Sequence, residues 1–385
     1  MNHKFTNCQF PIIRYEKNLS FFEWGFHHGS QFKIAINELV AIRKELMLKK
    51  NPRLKNHLDQ LAHEQFKISQ AYAPYIAEEI KGIAQGAECT LTDIVILNNY
   101  TDFRDIEMPE EGCTTMAHFY AHEKVMGQTW DMHRSAKNYL CMIEVLGNEH
   151  SEPQLILSLV GCVGLMGINS SLRAIGVNNI NTFNARAGLI WPLLVRQSLL
   201  EKSFDQMRER LVKAPVTSGH NYLIACTEGA EHLEILPDRY ESVGLIPKAQ
   251  THATSHMIFH TNHCLGPEIK KVEDQNSMSS TTFDRYNQAM QSIESFNQLI
   301  KDQRVPALFK YQYDFLTSHQ NFPKSICSHF ENGAQDPSFT CGGGLFDLQN
   351  KVFRFWRGCE THDDDFIAYD FKLSDAGFLP TKISF

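Results

Sequence analysis

The run Glu111-Gly112-Cys113-Thr114-Thr115 puts a thiol directly after an unhindered glycine carbonyl. A cysteine so placed can attack that carbonyl, form a thioester by N-to-S shift and be released by water. The chain is then cut between Gly112 and Cys113, and Cys113 acquires a free α-amine. An α-amine titrates at about 7.7–8.0, so it can serve as general base for its own thiol at neutral pH. The same five residues also fit a plain strand cysteine, buried as a small hydrophobe.

Other groupings point less clearly to chemistry. The ten cysteines (8, 89, 113, 141, 162, 226, 264, 327, 341 and 359) form no Cys-x-x-Cys pair, which argues against a zinc ribbon or a dithiol redox motif. His260, His263 and Cys264 could ligate a metal, as could His118 and His122. The first group lacks a second pair at structural-zinc spacing, and the second lies on a strand pattern, so no metal is expected. The glycines of 161–167 and 341–344 fit neither a phosphate-binding P-loop nor a dinucleotide fingerprint, and no cofactor is expected. Most of the cysteines are read as packing, and composition alone leaves open whether one of them differs.

Composition narrows the partners. With 37 Lys+Arg against 44 Asp+Glu, the net charge of −7 leaves no basic footprint for nucleic acid. The longest apolar runs, such as 155–160, are too short to span a bilayer. The first residues lack the apolar core of an export signal, so a cytoplasmic protein with reduced thiols is expected.

The run from Cys113 to Asp131 resembles the start of the mature chain in the acyl-coenzyme A:6-aminopenicillanic acid acyltransferase family of N-terminal-nucleophile hydrolases. The resemblance rests on Gly112-Cys113-Thr114-Thr115 and on Gly127-Gln128-Thr129-Trp130-Asp131. In family order there follow Gly167-Ile168-Asn169-Ser170-Ser171, Gly176-Val177-Asn178-Asn179-Ile180-Asn181, His260-Thr261-Asn262-His263-Cys264-Leu265 and Phe322-Pro323-Lys324-Ser325-Ile326-Cys327. It implies an α+β fold, a four-layer α/β/β/α sandwich, in which one domain is cut into a helical small chain (1–112) and a catalytic large chain (113–385). It implies Cys113 as nucleophile for self-cleavage and acyl transfer, Asp131 as the active-site aspartate beside the amine and Asn262 as the oxyanion-hole amide. Asn178 and Asn181 fall in a segment that walls the site, and Trp130 is either pocket wall or core. The expected substrate is a small acyl-amide or acyl-thioester. One departure stands out: the stretch 333–340 has no counterpart of the family's Ser-Arg pair. The competing reading is an inactive or unprocessed relative that keeps the fold as a small-molecule binding module.

The elements needed to hold these residues are legible in outline. Residues 30–88 read as helical with a break at Pro74, and Thr90 with Asp93 forms a capping box opening a short helix. After Gly112 the pattern turns to short strands, at 114–120, 124–129, 140–146, 154–160 and 173–177. Helices follow at 191–201 and 204–213, then strands near 222–226, 233–236 and 257–261. A polar segment at 267–280 is expected to be mobile. An amphipathic helix at 282–300 and strands at 344–348, 352–356 and 366–371 complete the pattern. Strands in blocks and helices in blocks favour α+β layering.

Overall fold

The computed structural model describes residues 6–50, 52–105, 112–248, 252–329 and 338–383. Glu111 and the stretch 333–337 of the departure noted above lie outside them.

Ahead of Gly112 come one strand, β1 (Ile12–Tyr15), and helices α1 (Phe21–Gln31), α2 (Lys33–Lys50), α3 (Leu58–Tyr72), α4 (Pro74–Gly86), α5 (Leu91–Asn98) and α6 (Tyr100–Asp105). Local chemistry sets the boundaries. Ser20 and Glu23 cap α1 reciprocally, Pro74 occupies the first turn of α4, and Thr90 with Asp93 caps α5 as its sequence implies. The rest of the chain supplies β2 (Cys113–Ala121), β3 (Glu123–His133), β4 (Leu140–Val145), β5 (Gln154–Leu159), β6 (Met166–Asn169) and β7 (Ala174–Asn179). Then come α7 (Trp191–Ser198), α8 (Phe204–Val212), β8 (His220–Ala225), β9 (Ala230–Ile235), β10 (Tyr240–Ile246) and β11 (His252–His260). Last are α9 (Thr282–Lys301), α10 (Leu308–Leu316), β12 (Ser338–Asp347), β13 (Val352–Arg357), β14 (Ile367–Ser374) and β15 (Gly377–Thr381).

The strands form two sheets, ordered β1-β4-β5-β6-β7-β8-β9-β10 and β11-β2-β3-β12-β13-β14-β15. All pairings are antiparallel except β1 with β4. The sheets pack face to face, with β2 against β7 and β8 and β12 against β6. Helices α7 and α8 cover the outer face of the first sheet, and α9 and α10 cover that of the second. This is the expected four-layer α/β/β/α sandwich. Because helices close the outer faces, strands such as β4, β5, β8 and β9 are buried at every position instead of alternating.

The residues ahead of Gly112 are built into this sandwich. β1 extends the first sheet beside β4. Helices α1 and α4 touch backbone to backbone: a Cβ on Gly25 would lie 2.0 Å from the Glu79 carbonyl oxygen, and one on Gly82 would lie 2.1 Å from that of Phe22. The segment 267–280 is better ordered than its composition suggests. Ile269 is buried, the Asp274 N–H donates to the Asn181 carbonyl, and Glu273 accepts from the Cys264 N–H.

Candidate active site

β2 and β3 lie at the centre of the second sheet, and their register sets Cys113 opposite Trp130. Cys113 is 8% exposed. Its backbone is held at both ends. The Cys113 N–H donates to Asn262 Oδ1 (2.7 Å), while its carbonyl oxygen accepts from Asn178 Nδ2 (3.0 Å) and Arg285 Nη1 (2.6 Å). The carbonyl oxygen of Gly112 accepts from the Asp131 N–H at 3.0 Å. Both atoms of the Gly112–Cys113 peptide bond are thus gripped by residues from distant parts of the chain.

Asn262 follows β11 and presents two faces. Its Oδ1 accepts from Cys113 N–H and from Arg285 Nη2 (2.8 Å), and its Nδ2 donates to the Asn179 carbonyl (2.9 Å). Two donors converging on one amide atom identify it as the oxygen. Asn178, on β7, donates to Cys113 and accepts from Thr115 Oγ1 (2.6 Å) and Asn221 Nδ2 (2.8 Å). Asn181 stands one contact further out, accepting from Asn179 Nδ2. Trp130 is buried at 3% exposure in the same hydrophobic cluster as Cys113, opposite it across the β2–β3 ladder.

Asp131 sits at the end of β3, opposite an irregularity in β12. The register between these strands slips at Cys341, and this aims the Thr340 hydroxyl at Asp131 Oδ1 (2.7 Å). The other oxygen, Oδ2, is buried without a hydrogen-bond donor among the described residues. Burial pushes the Asp131 carboxyl up to about 6, against the opposing pull of Arg285, Thr340 and Thr129. Gly112 lies between Asp131 and Arg285: a Cβ there would be 2.8 Å from Asp131 Oδ2 and 3.0 Å from Arg285 Nη2. Glycine leaves the space in which both charged groups come close to the chain at this point.

Arg285 is the site residue that sequence reasoning missed. It lies in the first turn of α9, is fully buried, and donates to the Cys113 carbonyl, Thr114 Oγ1, Asn262 Oδ1 and Thr281 Oγ1. Burial lowers its pKa, an effect opposed by Asp131 and by the Cys113 thiol. A guanidinium beside a thiol favours the thiolate and any negative oxygen formed next to it. One signal was available: Thr282, Arg285, Ala289 and Phe296 fall on the buried face of an amphipathic helix, where an arginine is out of place.

The motif residues around Cys113 each have a task. Thr114 and Thr115 fix Arg285 and Asn178. Gln128 donates to the Val177 carbonyl (2.7 Å) and accepts from the Val177 N–H (2.9 Å), tying the two sheets together. The metal candidates weighed from sequence are committed elsewhere. His260 Nε2 meets Glu234 Oε1 at 2.7 Å, and His118 lies between Ser255 and Gln312. A cavity of about 450 Å³ adjoins the site through Thr340 and is lined further by Arg134, Lys137, Phe322, His329, Phe339 and His362. No helix among the described residues is long and apolar enough to cross a membrane.

The profile of the acyl-coenzyme A:6-aminopenicillanic acid acyl-transferase family matches residues 120–332. The 40 kDa form of the acyl-coenzyme A:6-aminopenicillanic-acid-acyltransferase of Emericella nidulans is 27% identical over 315 residues, covering 81% of this chain and 83% of that protein. Among solved structures, the Caenorhabditis elegans ortholog of N-acylethanolamine-hydrolyzing acid amidase aligns with a TM-score of 0.41 at 10% identity, covering 62% of this chain and 93% of that one. A mutant form of the conjugated bile acid hydrolase of Clostridium perfringens aligns with a TM-score of 0.42 at 8% identity, covering 71% of this chain and 97% of that one.

Proposed function

Because this chain belongs to the acyl-coenzyme A:6-aminopenicillanic acid acyl-transferase family, and is therefore an enzyme of the amidase or acyltransferase class, we propose that it cuts itself before Cys113 and then uses that thiol on amide or thioester substrates. The observation that carries the reading is the grip on one peptide bond: Asp131 N–H on the Gly112 carbonyl, Asn262 Oδ1 on the Cys113 nitrogen.

In self-cleavage the Cys113 sulfur bonds to the Gly112 carbonyl carbon, and the Asp131 N–H stabilises the oxygen as charge develops. The C–N bond breaks, the thiol proton ends on the Cys113 nitrogen, and water hydrolyses the resulting thioester. Residues 1–112 and 113–385 then form the small and large chains. The new α-amine remains on Asn262 Oδ1 and serves as base for the thiol in the second reaction. Asp131 is assigned to hold that amine once protonated, with Oδ2, which has no hydrogen-bond donor among the described residues, as the acceptor. Asn262 Nδ2 has two hydrogens; one is on Asn179, and the other is assigned to the substrate oxyanion. Arg285 supports the thiolate. Acyl transfer to water makes the enzyme an amidase, and transfer to an amine makes it an acyltransferase. The ten cysteines form no disulfide, which accords with a reducing, cytoplasmic setting.

Intact mass of purified protein tests the proposal. Two fragments, the larger beginning at Cys113, are expected from the native chain, and a single 44.1 kDa species from Cys113→Ala. A native chain that stays whole under all conditions overturns self-cleavage. An acyl-thioester probe that labels Cys113→Ala as well as the native protein overturns Cys113 as nucleophile.

A further inference from the structure

Four residues that the sequence left as packing or unassigned converge on one point. His319, Cys327 and His329 lie in the loop after α10, and Cys359 follows β13. Their ligand atoms all lie within 4.8 Å of one another. His319 Nε2 and His329 Nε2 are 3.3 Å apart, Cys327 Sγ is 3.5 Å from His329 Nε2, and Cys359 Sγ is 3.2 Å from His319 Nε2. Zinc bonded tetrahedrally to sulfur at about 2.3 Å and nitrogen at about 2.0–2.1 Å spaces its ligands about 3.3 Å (N···N) and about 3.5 Å (S···N) apart. These three separations are close to those of the ligand shell, and the remaining pairs, within 4.8 Å, need only a small side-chain adjustment. Both thiols are buried and both imidazoles half-buried.

We propose that His319, Cys327, His329 and Cys359 bind one zinc ion in a closed, four-ligand structural site. Two thiolates and two neutral imidazoles give a neutral complex, and the two thiol protons leave to solvent on binding. Soft S₂N₂ donors in this geometry favour zinc over oxygen-seeking cations. The surroundings support the ligands. Thr361 Oγ1 lies 3.3 Å from the Cys359 sulfur, and the Cys359 N–H donates to Asp363 Oδ2 (2.8 Å) in a turn entered through Gly358 at φ +81°. Sequence spacing hid the site because the ligands come from two segments about 30 residues apart and include only a Cys-x-His pair.

The ion would join the loop after α10 to the turn after β13, and the loop leads to the active site. Ser328, between two of the ligands, donates its N–H to Thr340 Oγ1 (2.8 Å) and accepts the Thr340 N–H (3.0 Å). Thr340 in turn holds Asp131. The inference does not depend on self-cleavage, since it rests on the spacing of the four ligand atoms among themselves.

The test is the metal content of the full chain, expressed with zinc and purified without chelator. About one zinc per chain is expected, retained in Cys113→Ala and lost in Cys327→Ser and Cys359→Ser. Cobalt substitution of the native chain reads the ligands without any variant: intense tetrahedral visible bands with a near-ultraviolet sulfur-to-cobalt transition are expected. Zinc no higher in the native chain than in the Cys327→Ser/Cys359→Ser double variant overturns the site. So does a native chain that, once reduced, gives cobalt spectra without sulfur character, or one whose mass shows a Cys327–Cys359 disulfide that leaves no metal uptake after reduction.

Discussion

Arg196 and Arg285 are both fully buried, yet they meet their surroundings in opposite ways. Arg196 on α7 donates to Glu79 Oε2 (2.8 Å) and to Gln154, while Glu79 Oε1 accepts from Tyr15 (3.0 Å). His28 continues the network, with Nδ1 3.0 Å from the Tyr15 hydroxyl and Nε2 accepting from the Gly161 N–H (2.9 Å). Burial lowers the His28 pKa to about 3, so it stays neutral as that hydrogen bond requires. Arg285 spends its donors on carbonyl, hydroxyl and amide oxygens, with the Asp131 carboxylate beside it but Gly112 in between. The first centre pairs its charges and locks α1, α4, β1 and α7 together. The second keeps an unpartnered carboxylate oxygen and a cation together beside Gly112. The first centre also leaves one donor unmet, Arg196 Nε, but its carboxylate is fully engaged. A carboxylate paired with a cation contributes stability; one with an unmet oxygen is poised for a change of charge.

Breaking each centre should therefore fail differently. Arg196→Met leaves Glu79 buried without its cation and should cost about 3–5 kcal/mol, measured by denaturant unfolding of the uncut Cys113→Ala chain. The folded fraction of Arg196→Met should still process at the native rate. Arg285→Met should do the reverse, slowing fragment appearance about 10²–10³-fold while losing less stability. If the two variants gave the same profile, the contrast between the centres would be wrong.

A subtler probe is pH. The folded Asp131 carboxyl at about 6, against 3.8 unfolded, favours the protonated form in the folded state. Its contribution is full below about pH 4 and is lost as pH rises through 6, a change of about 3 kcal/mol at 1.36 kcal/mol per unit. Comparing the uncut Cys113→Ala chain with the same chain carrying Asp131→Asn should show the aspartate form losing about this much between pH 4 and 7, relative to asparagine. A flat difference would mean that Asp131 is better compensated than its empty Oδ2 indicates. The smallest expected effect is that of Gly112→Ala. Its Cβ crowds two side-chain tips, so it should cost about 1 kcal/mol yet slow cleavage visibly by pushing Asp131 and Arg285 apart.

What could be read from the chain followed the range of each interaction. The capping box of Thr90 and Asp93, the break at Pro74 and the strands after Gly112 are local, and they stand close to where their residues implied. Cys113, Asp131, Asn178 and Asn262 were identified through ordered motifs, and the structure brings them together. Arg285 carried no motif; only its place on the buried stripe of α9 sets it apart. The ordering of 267–280 was also out of reach, because its partners Asn181 and Cys264 are fixed by tertiary contacts. The His319, Cys327, His329 and Cys359 cluster joins the loop after α10 to the turn after β13, and no spacing rule spans that.

The meeting of the chain's two ends has a consequence for the order of events. Phe10 stacks on Tyr369 at 5.3 Å, Tyr369 donates to the Phe10 carbonyl, Arg357 donates to Asn7, and the Ile383 N–H donates to Asp370. First and last segments therefore lie against the same pair of strands, β13 and β14. A circular permutant that joins them by a short linker and opens the chain at Cys113 would need no internal scission. Removal of the initiator methionine would expose the α-amine, and catalysis could be assayed apart from maturation.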